Sequence, residues 1–102
     1  MTTANLTIVG KENEKAQLWI WHDGYQVDWY FELMMKKQKP SSFEVDDLQT
    51  RLRQIEPDDG FVKALPDEGR GDWSWVLTIL EEKKAVLVGS GSEGTKVKWY
   101  EI

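Results

Sequence analysis

The segment KAQLWIWHDGYQVDWYFELMM, Lys15 to Met35, decides how this chain is read. Asp23-Gly24 at its centre is the pair favoured in a two-residue type I′ hairpin, whose central residues both need positive φ. With that pair as the loop, His22 faces Tyr25, Ile20 faces Val27, Leu18 faces Trp29 and Ala16 faces Phe31. Cross-strand partners share a side of the sheet, so one side is almost wholly apolar and Leu33 and Met35 extend it. The other side pairs Trp21 with Gln26, Trp19 with Asp28, Gln17 with Tyr30 and Lys15 with Glu32. A slip of one residue would turn every core side chain to water, so turn chemistry and alternation agree on this register. The competing reading is a helix over 29–37, because Glu32, Leu33, Met34, Met35 and the lysines are good helix formers.

Outward from this segment the chain reads as one α+β domain spanning residues 1–102. Leu6 to Val9 is a β-rich run, and Gly10 to Glu14 is a connection of hairpin length that brings it back onto the strand from Lys15. Lys36, Lys37, Lys39 and Pro40 end the second arm of the long hairpin with charge and a residue that cannot continue a ladder. Ser41-Ser42-Phe43-Glu44 has capping-box character, and Val45, Leu48, Leu52 and Ile55 then form one apolar stripe before Glu56-Pro57. This predicts a helix with Asp46 and Asp47 at its positive end and Arg51 and Arg53 at its negative end.

Asp58-Asp59-Gly60 reads as a turn, Phe61 to Leu65 as a short strand, and Pro66 to Gly71 as a connection rich in breakers. From Asp72 the period of two returns: Trp73, Trp75, Leu77 and Ile79 alternate with Ser74, Val76, Thr78 and Leu80. A bend at Glu81 to Lys84 sets Leu80 opposite Ala85, Ile79 opposite Val86 and Leu77 opposite Val88, and a further strand runs from Thr95 to Ile102. The expected architecture is a single antiparallel sheet of about five to seven strands, with the long hairpin at 15–35, a C-terminal meander and one helix on its apolar face.

Composition excludes several functional classes. The chain is 40% hydrophobic and 30% charged, which lies in the globular range. It has no cysteine, so a disulfide scaffold, a thiol nucleophile and a thiolate zinc site are ruled out. A net charge of −5, from 13 basic and 18 acidic residues, argues against holding nucleic acid by bulk electrostatics. Residues 1–5 lack the pattern of a secretory signal, and no run is long and apolar enough to span a bilayer, so a cytoplasmic location without membrane contact is expected.

The motifs that resemble chemistry resolve into simpler readings. Gly89-Ser-Gly-Ser-Glu-Gly-Thr-Lys96 lacks lysine directly after its last glycine and is followed by a strand, so it reads as a flexible hairpin loop and not as a phosphate-binding loop. His22 beside Asp23 has no nucleophile partner in the sequence and reads as a cap on the end of the core face. Asp58, Asp59, Asp67, Glu68 and Asp72 match no calcium-loop spacing, and Arg70-Gly71-Asp72 is a chance tripeptide. Lys36, Lys37 and Lys39 read as a solvated strand end.

Six tryptophans remain to be placed. Trp29, Trp73 and Trp75 are readily used in the core, while Trp99 shares a side with Val97. The hairpin register leaves Trp19, Trp21 and Tyr30, with Gln26 and Asp28, on the uncovered sheet face. Such aromatics anchor protein interfaces, stack on sugars or bases, or are covered by another part of the chain. The expectation is a non-catalytic adaptor, regulator or inhibitor that binds a protein partner or a second copy through that face, with no cofactor and no metal. A small-ligand or carbohydrate binder using the same aromatics is the alternative, followed by a small hydrolase built on His22 and loop carboxylates.

Overall fold

A computed structural model describes residues 2–55, the backbone of 61–63, and residues 71–102. The chain runs β1 (Ala4–Val9), β2 (Lys15–Ile20), a 3-10 turn (Gly24–Gln26), α1 (Val27–Lys37), α2 (Val45–Ile55), β3 (Phe61–Lys63), β4 (Trp73–Glu81), β5 (Lys84–Gly91) and β6 (Gly94–Glu101). The strands form one sheet in the order β3-β2-β1-β4-β5-β6. Five strands have six to nine residues, and β3 has three. The sheet is mixed, because β1 lies parallel to β4 while every other pairing is antiparallel. The expected α+β class and single sheet are present, with two helices in place of one.

The second arm of the long hairpin is helix α1. Its sequence satisfies two periods at once: Val27, Trp29, Phe31, Leu33 and Met35 alternate, but Val27, Tyr30, Phe31 and Met34 are spaced for one face of a helix. The helical set is the one buried. Asp28 in the first turn and Lys36 and Lys37 in the last complement the helix dipole, so the lysines are a helix C-terminus and not a strand end. Asp23 does take a left-handed conformation, with φ 57°, but it leads into the 3-10 turn. Gly24 donates its N–H to the Thr2 carbonyl at 2.9 Å, which ties this corner to the start of β1.

Elsewhere the expected elements appear with local corrections. β1 and β2 pair with Leu6 opposite Leu18 and Ala4 opposite Ile20. Helix α2 buries Val45, Leu48 and Leu52 as the stripe requires. It begins after Glu44, whose carbonyl accepts the Leu48 N–H at 2.9 Å, so Ser41 and Ser42 precede the cap position. Buried Phe43 and Leu48 stand where a hydrophobic staple forms. Arg51 joins the two helices by bonding Asp47 at 2.7 Å and the Gln38 carbonyl, just past the end of α1, at 2.8 Å.

The β4–β5 register is one residue away from the expected one. An irregularity between Ile79 and Glu81 leaves Leu80 exposed, so Ile79 faces Ala85, Leu77 faces Leu87 and Val76 faces Val88. The glycine-rich segment is also strand and not loop. Gly89 lies opposite Trp75 and Gly91 opposite Trp73, and the two indoles lie across them, leaving only Ser92-Glu93 as the turn. Both helices cover the same side of the sheet, where Trp73, Trp75, Leu77, Leu6, Ile8, Leu18 and Ile20 meet Phe31, Met34, Leu48 and Leu52. The expected turn at 58–60 and the connection at 66–70 lie outside the described residues. Among the described residues no helix is long and apolar enough to cross a membrane.

Tyr100 closes the core at the β6 end. Its ring packs 4.5 Å from that of Phe31, and its hydroxyl donates to Glu32 Oε2 at 3.2 Å and lies 3.5 Å from the Asp28 carbonyl oxygen. Burial, with the negative charges of Glu32 and Asp28, pushes the phenol well above its usual value of 10.0. A group whose pKa is raised on folding favours the folded state below its unfolded pKa and loses that contribution as pH rises. Stability is therefore expected to fall above about pH 10, and to fall less steeply in Tyr100→Phe, which keeps the ring contact. Urea midpoints measured across that range check this.

Candidate open-face binding site

The residues proposed from sequence do not form one surface. Trp19 points away from the helices, as its alternation with Leu18 and Ile20 predicts, yet it is only 9% exposed. Trp21, just beyond β2, is 45% exposed and packs edge-on against Trp19 at 5.7 Å. Tyr30 is 6% exposed and sits in the core, because position 30 is on the inner side of α1. Gln26 and Asp28 are half-buried at the start of the same helix. Trp29, expected in the core, is exposed on the outside of α1. His22 is exposed and does not cap the core. Asp72 is engaged locally, accepting the Thr3 N–H at 3.0 Å.

The open face is instead built from the outward positions of β1, β4, β5 and β6. Strand pairing lines these up in three cross-strand rows. One row is Thr7, Val76, Val88 and Val97; the next is Val9, Thr78, Val86 and Trp99; the third is Asn5, Ser74, Ser90 and Thr95. None of these twelve positions carries a charge, in a chain that is 30% charged. Trp99 is 71% exposed and Val97 52%, and Val76, Val88 and Leu80 are exposed beside them.

Charge returns at the margin. Lys84 lies 3.8 Å from Glu81 and 3.9 Å from Glu101, so one cation bridges two carboxylates beside Trp99. A shallow depression of about 230 Å³ opens there, lined by Leu80, Lys84, Trp99, Tyr100 and Glu101. The free edge of β6 carries Lys96 and Lys98 on its inner side, with Lys96 bonded to the Tyr25 carbonyl at 3.0 Å. Inward-facing lysines on an edge strand oppose the addition of another strand. The β6 edge is thus guarded, while the face beside it is open.

The signal for this face was present in the sequence. Ser74, Val76, Thr78 and Leu80 alternate with the core residues of β4, and Val97 shares a side with Trp99. A solvated sheet face ordinarily alternates polar residues with the buried ones, and valine at the outward positions breaks that rule.

A second depression, about 370 Å³, lies on the helix side and is bordered by Glu12, Glu14, Glu44, Asp46 and Glu82. Among the described residues no group of three or more histidine, aspartate or glutamate side chains is placed to hold a metal ion. Comparison with protein-family models, curated proteins and solved structures finds no match to this chain.

Proposed function

We propose that this is a non-catalytic, cytoplasmic protein-binding domain, of adaptor, regulatory or inhibitory type, whose contact surface is the open face around Trp99. The carrying observation is that twelve outward positions, eight of them valine or threonine, carry no charge and include an exposed indole. Depletion of charge at the centre with an aromatic anchor is the compositional mark of a protein interface. Nucleic acid needs cations on the surface that meets it, and the three rows supply none. Covering Trp99 and its valine neighbours is worth several kcal/mol at about 25 cal/mol per Å², before ordering costs.

Trp99→Ser tests this reading. Because the side chain is mostly solvated, the variant is expected to unfold within about 0.5 kcal/mol of wild type. Binding is expected to weaken by about 2 kcal/mol or more, roughly thirtyfold. Tagged wild type and variant, both shown folded by circular dichroism, are compared for proteins captured from native lysate and for the affinity of each captured partner. Equal affinity in both removes this face from the function. Substitutions at Trp19 or Tyr30 test the fold instead, since both are buried.

A further inference from the structure

Resting on that reading of the face, we infer that its occupant is a second copy of this chain, the two sheets packing face to face around a two-fold axis. An interface with this symmetry brings the same patch against itself, so any charge near the axis meets its own like. The three rows contain none; Lys15, opposite Val9, borders them on the β2 side, and Lys84 between Glu81 and Glu101 borders them beside Trp99. The net charge of −5 is therefore carried outside the three rows.

The area is also sufficient. Four strands about 4.8 Å apart, each giving some seven residues at about 3.3 Å, present roughly 450 Å² of flat sheet. Side-chain relief raises the accessible area to on the order of 600 Å² per copy, or about 1,200 Å² in all, the lower end for a stable complex. Aligned packing of two twisted sheets interdigitates β-branched side chains, and valine and threonine supply most of this face. Pairing of two β6 edges is opposed by Lys96 and Lys98, which leaves the face as the route.

Sedimentation equilibrium of the purified chain from about 1 to 200 μM, for wild type, Val88→Glu, Trp99→Ser and Trp29→Ala, tests the inference. Wild type and Trp29→Ala, altered on the helix side, are expected to dimerise in the micromolar range, with association at least tenfold weaker in Val88→Glu and Trp99→Ser. Trp99→Ser keeps the test decisive if a buried edge of Val88 makes the glutamate variant unfold. A wild type that stays monomeric throughout overturns the second copy as occupant; the lysate comparison then separately decides whether the face binds a different protein. A dimer that survives both face variants and is lost in Trp29→Ala overturns the inference in favour of the helix side.

Discussion

Gly24→Ala is expected to destabilise the domain by about 3 kcal/mol, read as a shift of the urea unfolding midpoint. A Cβ at this position meets the Thr3 carbonyl carbon and oxygen at 2.5 Å and Ala4 Cβ at 2.8 Å. Two of those atoms are backbone of the chain entering β1, a strand held on both sides by β2 and β4. Neither side can withdraw cheaply. Moving Gly24 away breaks its N–H bond to the Thr2 carbonyl, and also the bond its own carbonyl accepts from the Trp75 indole N–H at 2.7 Å. Asp23→Gly provides the control, since residue 23 is left-handed and glycine adopts that conformation without strain. It is expected to stay within about 1 kcal/mol of wild type. A hairpin turn would make both positions depend on positive φ; here only residue 23 does, and residue 24 depends on the absence of a side chain.

Trp75→Ala is expected to have the largest effect of any single change, about 5 kcal/mol or more, enough to leave a domain of this size mostly unfolded. Trp75 is fully buried, stacks on Trp73 at 5.5 Å with the rings inclined by 20°, and covers the bare backbone of Gly89. Truncation opens a cavity on the central strand and strands the buried Gly24 carbonyl without its donor. Trp75→Phe separates the two causes, because it fills most of the volume and removes only the donor, for an expected cost of about 2 kcal/mol. Gly24 and Trp75 share one hydrogen bond, so the effects of Gly24→Ala and Trp75→Phe should not add. Thermal and urea unfolding followed by circular dichroism measure the three single variants and the Gly24→Ala/Trp75→Phe double variant.

These two residues also show how far the sequence could be read. Strands β1, β2, β4 and β6 and helix α2 were legible because one period dominates each of them. Residues 27–35 satisfy both periods, and local propensity for a glycine turn at 23–24 pointed the wrong way. The choice is made by tertiary contacts that no window contains: the Trp75 indole holding the Gly24 carbonyl, and Tyr100 bonded to Glu32 from 68 positions away. The site followed the same logic. Trp19 does lie opposite the core side of β2 but is buried, Trp21 falls beyond the strand, and Tyr30 moved into the core once its segment became a helix. Trp99 and the valines of β4, β5 and β6 form a surface only when the strand order β1-β4-β5-β6 is known. The Leu80 irregularity, which sets their register, leaves no mark in the alternation itself.

The central position of β1 carries a consequence for the order in which the molecule is assembled. The β1–β2 hairpin and the β4–β5–β6 meander each close over short loops, so each can form early from neighbouring residues. The parallel seam between them pairs Ala4 with Trp73 and Val9 with Thr78, spanning some two thirds of the chain. During synthesis from the N-terminus, β1 therefore emerges long before its partner and waits with one edge open until β4 arrives. The seam is the late, high-contact-order step. Side chains that meet across it, Leu6 with Trp75 and Ile8 with Leu77, hold the folded state mainly by slowing its unfolding, and contribute little to how fast it forms.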